Sequence, residues 1–95
     1  MDAGHGSMRV SLVSPESILF EGEATAVVAP AYDGLVGILP RHAPFMTLLG
    51  EGDLVVRQAG SDRRFRVTGG FLQVVKNVVR VVAEKATSLP AVPVG

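Results

Sequence analysis

GGFLQVVKNVVRVVAE, residues 69–84, decides the class of this fold. FLQVV (71–75) and VVRVVAE (78–84) are short, valine-rich runs, and Lys76-Asn77 stands between them. Two such runs around a two-residue connection read as a β-hairpin, with asparagine able to take positive φ in the turn. Val78 and Val82 fall on the same face as Arg80 and Glu84, so one side of the second strand mixes apolar and charged residues. Upstream, Gly69-Gly70 breaks the run.

The same grammar extends along the rest of the chain. MRVSLVS (8–14) alternates, with Val10 and Leu12 on one face and Arg9 and Ser11 on the other, until Ser14-Pro15-Glu16 interrupts it. SILFEGEATAVVA (17–29) has Gly22 near its middle, which predicts a bend or bulge between two strands. PAYDG (30–34) reads as a loop, LVGIL (35–39) as a strand, and FMTLL (45–49) as another closed by Gly50-Glu51-Gly52. DLVVRQ (53–58) pairs with RRFRV (63–67) across Ala59-Gly60-Ser61-Asp62, with Phe65 and Val67 facing in and Arg64 and Arg66 out. SLPAVPVG at the end has two prolines and no periodicity, and reads as a tail or extended linker. No segment sustains apolar spacing of helical period between caps. Nine or ten short strands with Gly/Pro turns predict an all-β sandwich or partly open barrel.

Composition sets the outer bounds. The chain has 95 residues, 47% of them apolar, which makes one domain with one core. Formal net charge is zero, which argues against nucleic acid as the main partner. Acids concentrate in residues 1–53 and bases in 54–95. Either strands from the two halves interleave and the charges mix, or the domain is bipolar and docks between partners of opposite charge. The absence of cysteine excludes disulfides, thiolate zinc sites and a cysteine nucleophile. No run of about 18 apolar residues is present to span a membrane, and MDAGHGS (1–7) reads as a polar leader outside the fold.

Candidate chemistry is sparse. His42 is the one well-placed histidine, and nothing in the sequence brings it to a serine or an orienting acid as a triad requires. Glu21 and Glu23 share a strand face but read as solvated charge. The glycine pairs open no helix and precede no Lys-Ser/Thr, so they are not phosphate cradles. RRFR (63–66) is the nearest approach to a nucleic-acid patch, but Phe65 points away from Arg64 and Arg66. No catalytic, cofactor-binding or metal-ligating residue is nominated. LPRHAP (39–44) remains. Its prolines fix φ and hold Leu39 and Ala43 extended, so Arg41 and His42 ride on a rigid bend. Such a bend suits a docking surface, because little entropy is lost on binding, or a structural corner whose histidine is satisfied by the backbone.

Three stretches taken together are specific. They are V-S-P-E-S-I-L-F-E-G-E-A (13–24), V-A-P-A-Y-D-G-L-V-G-I-L-P-R-H-A-P-F-M-T-L-L (28–49) and the opening G-G-F-L-Q-V-V-K-N-V-V-R-V-V-A-E (69–84). In this order and spacing the chain resembles the epsilon subunits of F-type ATP synthases, from residue 8 to about 86. The resemblance implies a ten-stranded β-sandwich over 8–86, with 87–95 a tail. It implies a non-catalytic rotor subunit of the central stalk that binds the gamma subunit, sits on the c-ring, and helps couple ion-driven rotation to ATP synthesis. It needs no cofactor, and it reaches the cytoplasmic face of the bacterial inner membrane, or its organelle equivalent, only through the complex. By carry-over, Tyr32, Asp33, Gly34, Leu35, Arg41 and His42 would face the c-ring, and Ser14 and Thr47 the gamma subunit. Relatives often carry glycine where Arg41 stands and an acid where Leu35 stands. Relatives also continue into two C-terminal helices that restrain ATP hydrolysis and in some bind ATP. A chain ending at Gly95 is expected to dock and couple without either property. The rival readings are a stand-alone β-sandwich binding module, poorly served by one Tyr and no Trp, and a small hydrolase built on His42.

Overall fold

The computed structural model describes residues 6–93. Eight strands follow one another: β1 (Met8–Val13), β2 (Ile18–Ala24), β3 (Ala26–Ala31), β4 (Gly34–Ile38), β5 (Phe45–Leu48), β6 (Glu51–Gln58), β7 (Ser61–Val75) and β8 (Val78–Pro93). Every pairing is antiparallel except β1 with β8.

Two of these strands are long enough to serve twice. The second half of β7 pairs with β5 and with the start of β8, which pairs in turn with β1 and then β2. The first half of β7 pairs with β6 and with the end of β8, and β6 leads through β3 to β4. The first layer is therefore β2-β1-β8-β7-β5 and the second β8-β7-β6-β3-β4. Five strand segments per layer reconcile the ten-strand expectation with eight continuous strands. The layers face each other across Val10, Leu12, Phe20, Leu72, Val79 and Val81 on one side and Val27, Ile38, Leu54, Phe65 and Val67 on the other, all buried. Alternation does the sorting: valine at every second position gives a stiff, β-branched inner face. Phe20 and Phe65 meet across the layers edge to face, with centroids 6.0 Å apart.

The bend that lets β7 pass between layers lies at Gly69-Gly70, where φ is 68° and 107°. A side chain at Gly70 would run into the Val82 carbonyl oxygen on the neighbouring strand. The glycine pair that read as the end of a strand is thus a fold in the middle of one. It is stitched to the β5–β6 corner by Leu49 N–H to the Gly70 carbonyl (2.9 Å) and Gly69 N–H to the Gly50 carbonyl (3.1 Å).

Other boundaries also move. Gly22 does not bend its strand; it pairs with Val10 inside β2, and its missing side chain leaves room for the Phe20 ring. The break comes at Thr25, whose N–H donates to the Arg57 carbonyl (2.8 Å) as the chain crosses to the second layer. Pro30 and Ala31 belong to β3, and the turn is only Tyr32-Asp33. Proline is tolerated there because the β3–β6 ladder has ended at Val28 and the facing residue beyond it, Gly52, has no Cβ to collide with the ring. The β6–β7 turn is the pair Ala59-Gly60, with Ser61 and Asp62 already in β7. Residues 87–93 continue β8 against β7 instead of forming a tail. Of the expected leader 1–7, only Gly6 and Ser7 lie within the described residues, and the Ser7 hydroxyl donates to Glu23 at 2.9 Å.

Candidate protein-docking surface

The two outer faces of the sandwich differ in kind. On the second layer, Asp53 of β6 sits between Arg64 and Arg66 of β7, with N–O distances of 2.7 and 3.3 Å, and Arg66 also reaches Glu51 at 3.5 Å. Each of these pairs joins an acid of residues 1–53 to a base of 54–95, so strand interleaving mixes the charges that sequence order separates. The hydrogen bond from Arg64, then that from Arg66, holds the Asp53 carboxyl below its ordinary value. A lowered carboxyl adds stability that is present above its unfolded value of 3.8 and lost as pH falls through the folded one. Asp53→Asn is accordingly expected to flatten the decline in stability below pH 3.8, measured by urea titration at a series of pH values. An unchanged acid limb would remove Asp53 from that role. Arg63 lies over Phe20 and Phe65, 5.5 and 5.4 Å from the ring centroids, and covers the edge of the core. The RRFR arginines are committed to their own fold.

The first layer presents the opposite surface. Register aligns Leu48 with Phe71, Phe71 with Val82, Val82 with Val13, and Val13 with Ile18. These five side chains share the outward phase, since Leu72, Ala83, Leu12 and Leu49 beside them point inward and are buried. They make one apolar belt across five strands, roughly 19 Å wide at the usual strand spacing. Its ends stand in solvent: Ile18 is 63% exposed and Leu48 62%. Tyr32, 68% exposed, adjoins Leu48 through a bond from its N–H to the Leu48 carbonyl (3.0 Å). Ser14 and Pro15 border a shallow hollow with Phe71 and Val82. The next row aligns the exposed Met46 with the polar Gln73, Arg80 and Ser11, and the row beyond contains Val75 and Val78, both exposed.

The proline bracket closes the other end of this layer. Leu39-Pro40-Arg41-His42 is a β-turn with the His42 N–H donating to the Leu39 carbonyl (3.1 Å). Arg41 has φ 70°, which with proline before it makes a type II turn. The His42 ring packs edge to face on Phe45, centroids 5.4 Å apart, and its Nδ1 lies 2.8 Å from the Ala43 carbonyl. A carbonyl only accepts, so Nδ1 carries the proton.

The sequence-predicted contact residues are not gathered in one place. Tyr32 and Asp33 turn the chain before β4, and Arg41 and His42 follow after it, so extended backbone of roughly 13 Å separates the two loops. Leu35, 76% exposed, stands near the first of them. Thr47, assigned with Ser14 to a different partner, lines a groove between β4 and β5 together with Tyr32, Asp33 and Leu35. Ser14 borders the apolar belt. Sequence reading noted the outward Val78 and Val82 but missed Phe71, Leu48 and Ile18. The signal was present in FLQVV: with Leu72 and Val74 inward, Phe71 must point out. Among the described residues no group of three His, Cys, Asp or Glu converges as a metal site.

Residues 7–89 match the family model of the ATP synthase delta/epsilon chain β-sandwich domain. The chain belongs to that family. It is 40% identical over 77 residues to an ATP synthase epsilon chain of Leptospira borgpetersenii, covering 81% of this chain and 61% of that one. It is 42% identical over 79 residues to one of Caulobacter vibrioides, covering 83% and 92%. The chain thus spans about three-fifths of the Leptospira relative and nearly all of the Caulobacter one. Its fold matches a chain in the Euglena gracilis mitochondrial ATP synthase OSCP/F1/c-ring structure (TM-score 0.81, 21% identity, 87% of this chain and 54% of that one). It also matches one in the Tetrahymena thermophila mitochondrial ATP synthase central stalk/c-ring structure (TM-score 0.68, 17% identity, 84% and 65%). Within this delta/epsilon sandwich the left-handed φ of Arg41 gives a physical reason for the glycine that the resemblance leads one to expect there: only glycine takes that conformation at no steric cost.

Proposed function

We propose that this chain is a non-catalytic central-stalk subunit of an F-type ATP synthase, docking the gamma subunit to the c-ring and helping to couple rotation to ATP synthesis. The observation that carries the proposal is the contrast between the two outer faces. The second layer pairs Asp53 and Glu51 with Arg64 and Arg66 beside the half-buried Val28 and Val55, whereas the first exposes a contiguous apolar belt, with Ile18 and Leu48 standing in solvent, of the sort that marks a protein interface. Gamma docks on the first layer, across the belt with Ser14 at its border, and reaches past Val75 and Val78 toward Arg41 and His42. The c-ring meets the Tyr32-Asp33-Gly34-Leu35 turn. Thr47 lies in the groove between the two contacts. This departs from the expectation that Arg41 and His42 face the c-ring with Tyr32 and Asp33, and the separation of the two loops along β4 supports the split. A rotor subunit needs stiffness more than chemistry, and a two-layer sandwich with shared strands supplies it. No helix among the described residues is long and apolar enough to cross a membrane, and association with the cytoplasmic face of the membrane would run through the complex.

A second reading, a stand-alone binding module, has in its favour the β4–β5 groove lined by Tyr32, Leu35, Phe45 and Met46. One experiment separates the two. The immobilised chain is exposed to detergent-solubilised membranes of its source and the retained proteins are identified by mass spectrometry. Recovery of gamma and the c-ring supports the rotor subunit. A folded chain that retains neither sinks it and favours the module.

A further inference from the structure

The β7–β8 hairpin turns on Lys76-Asn77, with φ 49° and 64°. Glycine is the least strained residue for the second position of such a turn, so asparagine there calls for a reason. Asn77 directs both of its oxygens away from its own hairpin. Its main-chain carbonyl accepts from the Arg9 N–H at the start of β1 (2.9 Å), and its side-chain Oδ1 accepts from the Arg41 N–H in the proline bracket (2.6 Å). The residue it holds is also left-handed, at φ 70°, without being glycine. A type II turn with a bulky third residue can relieve itself by flipping the peptide between Pro40 and Arg41 to the type I form, which returns Arg41 to negative φ. That flip rotates the Arg41 N–H away from Asn77 and redirects the Arg41 side chain, while Leu39 and His42 at the two ends of the turn keep their places. The bond to Oδ1 exists in only one of the two forms.

We propose that Asn77 is a positioning residue, whose side chain locks the proline bracket in its left-handed form and so sets how Arg41 is presented to a partner. The functional half of this rests on the reading of the bracket as part of the gamma-docking face. The conformational half does not, and is tested on the chain alone. Asn77→Gly removes the acceptor while keeping a residue suited to the turn, and Asn77→Asp keeps an acceptor in place. Hydrogen exchange followed by NMR is expected to show the Arg41 amide exchanging about tenfold faster in Asn77→Gly, the worth of one hydrogen bond, with Val74 and Val79 in the hairpin unchanged. Asn77→Asp is expected to restore the slow rate. Affinity for purified gamma should fall in Asn77→Gly and recover in Asn77→Asp. An Arg41 rate unchanged in Asn77→Gly overturns the lock. Faster exchange with unaltered gamma affinity overturns the functional half and takes the bracket out of the docking face.

Discussion

Gly70→Ala is expected to destabilise the domain by on the order of 3 kcal/mol or more, a large share of the stability of a chain of this size. Two costs add at this position. A φ of 107° is open to glycine and hostile to any residue with a Cβ. The Cβ would also strike the Val82 carbonyl and the Ala83 Cα, which are backbone atoms of the adjacent strand and cannot swing aside as a side chain can. Because β7 belongs to both layers, relieving the clash there opens the first layer against the second instead of loosening one edge. Gly69→Ala, by contrast, meets the Glu84 side chain, which can move. It shares the left-handed penalty but lacks the backbone collision, and should cost less. Urea titration of the two variants checks the ordering. A Gly70→Ala protein as stable as the parent would mean that β7 does not bend at this point.

Leu48→Asp and Ile18→Asp, together, are expected to weaken binding to gamma by at least a hundredfold while leaving the fold intact. The two side chains are the exposed ends of the belt, so a carboxylate at either has water in the free chain and costs the fold little. In the complex the same carboxylates would be stripped of water against an apolar surface. An uncompensated charge in an interface costs several kcal/mol, and 1.4 kcal/mol is tenfold in affinity. The matched control is Thr87→Asp on the outer face of the second layer, where Thr87 pairs with Arg66 and is exposed. It should leave binding unchanged. Titration calorimetry with purified gamma reads both, and equal losses on the two faces would refute the assignment of the first layer.

The β class, the hairpin at Lys76-Asn77 and the inward phase of Phe65 and Val67 were all legible in the sequence, because alternation and turn chemistry are local. What the sequence hid was continuity. Gly69-Gly70 and the prolines of the last segment are ordinary strand breakers, and only the partner strand reveals that β7 and β8 continue through them. Gly22 misled for the complementary reason: its role is to make room for Phe20, a packing relation invisible in one dimension. The docking residues were partly legible. The proline bracket announced a fixed turn, and Leu39–His42 is a hydrogen-bonded type II turn, but the strand that stands between it and Tyr32-Asp33 shows only in the fold. The apolar belt could not be read at all as a unit, since it is assembled one residue per strand from five strands.

The most direct test of the central claim places a photo-crosslinking residue at Leu48 in one variant and at Thr87 in another, and illuminates each within the assembled complex in source membranes. The account predicts that Leu48 yields an adduct with gamma and that Thr87, on the charged outer face of the second layer, yields none. An adduct of gamma with Thr87 and none with Leu48 would contradict it.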